Sequence, residues 1–418
     1  MIDIQYIRDN AEKVKVAAKN KNREVDIDRL LSLDTTRREI IQKAQVLREE
    51  RNQIASQKPP SKEQIDRGKA IKEELKGIEE HLKKTEEDLQ NLMLYVPNVP
   101  FDEVPVGTDE TANKELKKWG EPRQFDFEIK DHIALGTDLD IFDLERGSKV
   151  SGFRGYFLKN EGAILHLALL FYVFQKLNKK GYTPFIAPSI VKQFTLFGTG
   201  HFPWGSEQDV YKLNEDDMYL SGTAEIPITA YHSEEVLMEK DLPKKYVGFS
   251  PCFRKEAGAY GKDTKGLYRL HEFWKIEQVI LGKNDLEEAK KIHEELEENA
   301  EGILQDLKLP YRQLLMCTGD MGEPQLKKYD IETWMPSRGG YGETMSNSIM
   351  GDFQARRLNI RYKTKEGKTE YVYTFNNTAV ASPRILIAIL ENYQQADGTI
   401  KVPEVLVPYT GFDVIKKK

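Results

Sequence analysis

Two cysteines in 418 residues, Cys252 and Cys317, leave no disulfide framework, and neither sits in a Cys-x-x-Cys or Cys/His group of the kind that holds zinc. Both are expected as buried apolar residues. The seven histidines are scattered, with no pair at helix-neighbour spacing beside a carboxylate, so no protein-ligated transition metal is expected. Apolar runs are short: the longest, Ala163 to Phe174, is broken by His166 and falls well below the ~20 residues of a membrane-spanning helix. The opening Met1-Ile2-Asp3-Ile4 carries neither a basic stretch followed by an apolar one nor an Arg-rich amphipathic segment, which makes the cytoplasm the expected location. Positive charge is not in excess either. With 62 Lys or Arg against 68 Asp or Glu, the net charge of -6 excludes a protein built only to grip phosphates.

Heptads are present instead. Leu30, Leu33, Arg37, Ile40, Ala44, Leu47, Arg51 and Ile54 recur at steps of three and four, and the steps resume at Ile71, Leu75, Ile78, Leu82, Thr85, Leu89 and Leu92. Between the two runs, Lys58-Pro59-Pro60-Ser61 stops one helix and offers a cap to the next. The pattern predicts an antiparallel coiled-coil hairpin over about 27–96, each limb ~45 Å long and projecting from the rest of the chain. Such a hairpin serves dimerisation or spacing as readily as ligand binding. Its charge separates these uses: from Arg37 to Lys84 thirteen basic residues face nine acidic ones, in a chain that is acidic overall. A positively biased rod suits an elongated polyanion gripped through its phosphates, and RNA fits that description.

From Pro97 to Pro122 no period is sustained, which marks a domain junction, with 101–122 as the linker between an N-terminal domain, 1–100, and a body, 123–418. In the body a helix is expected from Glu161 to Lys180, ending at Gly181, and strands at Val247–Phe253, Trp274–Leu281 and Tyr371–Thr374. The fold class is α+β: a mainly antiparallel sheet flanked by helices, with the coiled-coil arm at the N-terminus.

Three segments of the body carry the chemistry. The first is Gly181-Tyr182-Thr183-Pro184-Phe185-Ile186-Ala187-Pro188. The second, Phe253-Arg254-Lys255-Glu256, continues through Gly258, Asp263, Thr264, Gly266, Arg269, His271, Phe273 and Glu277. There a guanidinium fork at a strand end suits a phosphate, a Gly-rich loop lets backbone approach a nucleotide, and an aromatic ring suits a base. The third is Asn376-Asn377-Thr378-Ala379-Val380-Ala381-Ser382-Pro383-Arg384, a small-residue turn from strand to helix.

Together these segments resemble the three signature motifs of class II aminoacyl-tRNA synthetases, and within the class they match the seryl family. Two further stretches are similar to that family: Ser221-Gly222-Thr223-Ala224-Glu225, and Glu343 with Ser346 ahead of Asp352-Phe353-Gln354-Ala355-Arg356-Arg357. The resemblance implies ATP as cosubstrate, serine as amino acid and tRNA(Ser) as acceptor, with tRNA(Sec) left open. Arg254 would meet the α-phosphate and the substrate carboxylate, Glu256 the adenine edge, and Arg269 the distal phosphates, while Phe273 and Arg384 would hold adenine from opposite faces. Thr223, Ala224, Glu225, Arg254, Glu277, Asn376 and Thr378 would bind serine, and Glu343 with Ser346 would hold Mg2+. The class pattern also implies a homodimer with Pro188 at the interface, and the arm would embrace the tRNA. Ile349 departs from the family pattern, in which many members have Asn. A ligase with another amino acid or acceptor, and a silent RNA-binding paralogue, are the alternatives.

Overall fold

The computed structural model describes all residues except 58, 60, 206–208, 215–216, 258–264 and 418, so Gly258, Asp263 and Thr264 of the second motif, and Lys58 and Pro60 of the arm's turn, lie outside the described residues. The chain divides into two compact units, Met1–Val99 and Pro100–Lys418.

The first unit is helical. α1 (Ile4–Asp9) and α2 (Ala11–Asn20) precede α3 (Ile27–Ser56) and α4 (Lys62–Met93), two long helices packed along one another. Ser61 caps α4 in a reciprocal box: its hydroxyl accepts from the Gln64 N–H at 3.3 Å while Gln64 Oε1 accepts from the Ser61 N–H at 2.7 Å. Ala44, Leu47, Ile71 and Leu75 form the seam's buried core, with Ile54 and Ile78 half-buried beside them. Two seam positions differ from the heptad expectation. Arg51 is exposed, and near the end of α4 Met93 is buried where Leu92 is half-buried. Arg37 has a specific reason to sit on the seam: buried Asp34, one turn earlier, accepts from it at 3.1 Å and from Arg8 of α1 at 2.7 Å. These two guanidinium groups more than offset the effect of burial and hold the Asp34 carboxyl below the usual carboxylate range.

The second unit is built on an eight-stranded sheet: β1 (Lys114–Trp119), β2 (Thr183–Ile186), β3 (Lys244–Phe253), β4 (Glu272–Gly282), β5 (Tyr311–Leu315), β6 (Lys327–Met335), β7 (Gly340–Gly351) and β8 (Tyr373–Ser382). Their spatial order is 1-5-6-7-8-4-3-2, antiparallel throughout except for the parallel pair β2/β3. Helices α5 (Asn160–Lys179), α6 (Leu286–Asp306) and α7 (Arg384–Asn392) pack apolar residues against it, among them Leu165, Leu169, Leu296, Ile303 and Ile387. The short helices Gln193–Thr199, Glu225–Ala230 and Phe353–Leu358 pack on one another and on β4 and β8. Gly248 of β3 permits that approach, because a Cβ there would meet Ile228 Cδ1 at 2.1 Å.

Three expectations need correction. The linker 101–122 contains β1, an edge strand exposed at every residue; its Lys- and Glu-rich sequence has no apolar alternation to reveal it and suits an edge protected from further pairing. The run Tyr371–Thr374 spans two strands, one ending at Tyr371 in a small three-stranded sheet and the next, β8, beginning at Tyr373. The third motif is no turn over most of its length: Asn376 to Ser382 are the body of β8, and only Pro383 separates strand from helix.

Candidate active site

Alternation along the central strands gives the sheet two different faces. On one, Gln278 and Asn377 join each other at 2.6 Å, Asn299 of α6 donates to Gln278 at 2.7 Å, and Asn347 donates to Glu297 of α6 at 2.9 Å. The other face carries Lys275 and Glu277 on β4, Asn376 and Thr378 on β8, and Ser346 on β7. β8 bulges between Thr378 and Val380, at the site itself.

Lys275 Nζ lies 2.6 Å from Glu277 Oε2, which also accepts from the Thr378 hydroxyl at 3.2 Å; Lys275 in turn donates to that hydroxyl at 3.4 Å. Glu225 is the second buried carboxylate. It follows the loop Ser221–Ala224, in which the Ser221 hydroxyl donates to the Thr223 carbonyl at 2.7 Å and Thr223 Oγ1 accepts from the Glu225 N–H at 3.2 Å. Glu225 Oε1 accepts from Asn376 at 2.9 Å and from Gln354 at 2.8 Å. Gln354 is itself fixed by the Thr199 carbonyl at 3.0 Å and the Thr374 hydroxyl at 2.6 Å.

Burial raises both carboxyl pKa values. Lys275 works against burial at both sites, and the Glu225 charge raises Glu277 further. Two buried carboxylates thus share one buried lysine, and the Arg254 charge reaches Glu225 as well. Thr378 and Thr223 add hydroxyl and backbone polarity to the same small space.

Arg254 follows the end of β3, as expected, on the exposed side of this pocket. Its Nε donates to the Gly222 carbonyl at 3.3 Å, and its guanidinium lies 5.1 Å from the centre of the Phe273 ring. Glu256, in the left-handed region at φ 54°, pairs with Arg269 at 2.6 Å, so the two predicted nucleotide contacts meet each other. Gly266 also needs its positive φ of 74°, and a Cβ there would collide with His132 Nε2 at 2.2 Å. Arg384 opens α7 and donates to the carbonyls of Tyr268 and Glu343, each at 3.0 Å; it lies 3.3 Å from the Glu343 carboxylate and 4.5 Å from the centre of the Tyr268 ring. Ser346 stands three residues along β7 from Glu343 and directly opposite Asp330 of β6. Pro188, exposed beyond the end of β2, is remote in sequence from this group and follows the strand at the sheet's edge.

Sequence reasoning passed over Lys275, Gln354, Tyr268 and His201. Lys275 lies two residues before Glu277 and shares its face, so alternation alone would have found it. Gln354 stood within a quoted segment without a role. His201, bonded to Thr199 at 2.9 Å, is held neutral by burial and by the charges of Arg254 and Lys275, its pKa pushed down to about 4. Ile349 is fully buried in the main core, so the departure at that position faces apolar side chains. Both cysteines are buried and free. Among the described residues no helix is long and apolar enough to cross a membrane.

Comparison with known proteins identifies the family. Residues 1–100 match the seryl-tRNA synthetase N-terminal domain, and residues 209–393 match the tRNA synthetase class II core domain (G, H, P, S and T). The chain is 45% identical over 423 residues to a serine–tRNA ligase of Treponema denticola, covering 99% of this chain and 100% of the relative. It is 45% identical over 424 residues to the serine–tRNA ligase of Symbiobacterium thermophilum, covering 100% of both. The crystal structure of seryl-tRNA synthetase from Pyrococcus horikoshii complexed with ATP superposes with a TM-score of 0.94 at 38% identity, over 100% of both chains. The chain belongs to the serine–tRNA ligase family, on a class II synthetase core.

Proposed function

We propose that this chain, a serine–tRNA ligase by family, activates L-serine with ATP to seryl-adenylate and passes the seryl group to tRNA(Ser), with the residues gathered around Glu277 and Arg254 dividing the work. The observation that carries the reading is the pocket's charge balance, two buried carboxylates against one lysine. A serine ammonium supplies the missing positive charge beside Glu225 and Glu277, with Thr223, Ala224 and Asn376 completing the pocket wall. The serine hydroxyl, close in size to a water molecule, has Thr378 and Glu277 as partners.

The reaction is in-line attack of the serine carboxylate on the α-phosphorus of ATP, with pyrophosphate leaving. Charge accumulates on the phosphorus oxygens, and what the enzyme supplies is position and fixed positive charge rather than a proton-transferring side chain. Arg254 holds the α-phosphate and the attacking carboxylate. Phe273 and Arg384 hold adenine, Glu256 reads its edge, and Arg269 takes the distal phosphates. A terminal ribose hydroxyl of tRNA then attacks the carbonyl carbon of the adenylate and releases AMP.

Glu343 and Ser346 fit a magnesium ion. They are hard oxygen donors on one strand, and behind them lies a buried carboxylate oxygen of Asp330 that makes no hydrogen bond among the described residues. Bound there, the ion would neutralise phosphate charge. The unit 1–100 is the tRNA-binding domain and its α3/α4 arm grips the tRNA; 123–418 is the catalytic domain. A homodimer is supported by an unpartnered apolar face: Ile164, Leu167 and Phe171 lie on one side of α5, half exposed, and Ile186 of edge strand β2 is 83% exposed, next to Pro188. The cytoplasm, where tRNA and ATP meet, is the proposed location. Charging of purified tRNA with labelled serine tests the reading, with tRNA(Sec) as a second acceptor in the same assay. Serine-dependent pyrophosphate exchange without transfer to either tRNA would contradict it.

A further inference from the structure

Asp330 has no role in the reaction as described, yet it is placed unusually for a structural carboxylate. It lies on β6, 4% exposed, in an antiparallel ladder where Ser346 of β7 is its direct partner. Opposed residues of such a ladder bring their Cβ atoms to about 5 Å, within reach of a hydroxyl and a carboxylate. The two carboxylate oxygens are used differently. Oδ2 pairs with Lys328 Nζ at 2.8 Å, whereas Oδ1 is buried and makes no hydrogen bond among the described residues. A buried acceptor left open costs stability, and the Ser346 hydroxyl, directly opposite on β7, is placed to fill it.

We propose that Asp330 is a positioning residue for the divalent cation: its open Oδ1 takes the proton of the Ser346 hydroxyl as a hydrogen bond, so that the lone pairs of Ser346 Oγ face the ion held with Glu343. This inference rests on the magnesium reading above. Outer partners that orient a metal ligand in this way typically change metal affinity by about 10–100-fold when removed. Lys328 pairs with the other carboxylate oxygen and takes no part in holding the ion.

The test uses the full-length protein and Mn2+ as probe, its binding in the presence of ATP read from the loss of the free-ion electron paramagnetic resonance signal. Asp330→Asn keeps the shape and is expected to weaken Mn2+ binding about 10-fold or more, and to raise by the same factor the Mg2+ concentration that half-saturates pyrophosphate exchange. The serine KM at saturating metal should stay within about twofold. Ser346→Ala should weaken Mn2+ binding as well, and adding Asp330→Asn to it should cost little more, because the two act through one bond. If Ser346→Ala leaves Mn2+ binding unchanged, the magnesium reading itself fails. If Ser346→Ala weakens it and Asp330→Asn does not, only the present proposal falls. An Asp330→Asn variant that lowers serine, ATP and metal affinity alike would show a purely structural role and overturn the proposal. Should the single variant not fold, Lys328→Met/Asp330→Asn removes both charges of the pair and is read by the same Mn2+ titration.

Discussion

Replacing Glu277 with glutamine keeps the shape of the pocket floor and removes one charge. Lys275, only 5% exposed, then keeps Thr378 at 3.4 Å but loses the carboxylate at 2.6 Å that compensates its ammonium. Breaking a buried pair by removing one partner costs about 3–5 kcal/mol, because the surviving charge stays buried. For a unit of this size that is a fall in Tm on the order of 10 °C. Serine activation suffers separately: a hydrogen bond to a charged group is worth about 1.5–3 kcal/mol, so the serine KM should rise by a factor of about 10–150. The double variant Lys275→Met/Glu277→Gln separates the two effects. With the orphaned ammonium gone it should recover most of the lost Tm, yet serine activation should stay as poor as in the single variant. Thermal unfolding without ligand, and pyrophosphate exchange across serine concentrations, measure both. A single variant as stable as the parent, or a double variant that regains serine affinity, would refute the view of Lys275 and Glu277 as a pocket-floor pair awaiting the substrate ammonium.

Two further outcomes follow from the division of labour. Removing Thr35–Thr85 and closing the gap with a short linker should leave serine-dependent pyrophosphate exchange nearly intact while tRNA charging collapses, since every residue proposed for ATP and serine lies beyond 181; unchanged charging would end the arm's role in tRNA binding. Arg254→Ala should slow adenylate formation by a factor on the order of 10² or more, as removal of a fixed donor to developing charge does, with little change in ligand-free Tm because this side chain is exposed.

The arm was legible because heptad steps recur along two helices of 30 and 32 residues and Ser61 announces the second. The seam's cations were harder to read: Arg37 depends on Asp34, and Asp34 on Arg8 from another helix, a meeting that no local pattern encodes. The long strands β3 and β4, rich in apolar residues, were also visible. Beyond its first two residues β8 was not, because Asn376-Asn377-Thr378 reads as a turn. Its two faces are polar for different reasons, one lining the pocket and the other joining the amide network over α6, so the apolar period that identifies a strand is missing. β1 escaped for the opposite reason, being exposed on both sides. At the site, motif resemblance supplied the charged residues proposed to meet ligand. It did not supply Lys275 and Gln354, whose work is to balance and hold the carboxylates Glu277 and Glu225.

The claim that the pocket selects serine is tested most directly by pyrophosphate exchange with serine, alanine, threonine and glycine. A site that hydrogen-bonds a substrate hydroxyl rejects the analogue that lacks one, because the bonds of that hydroxyl to the buried pair Thr378 and Glu277 would not be made. Serine is therefore expected to exceed alanine and glycine by a factor on the order of 10³ or more in kcat/KM, with threonine, excluded only by one methyl, discriminated less strongly. Activation of alanine or glycine as efficiently as serine would contradict the account, leaving the class II core with some other amino acid to carry.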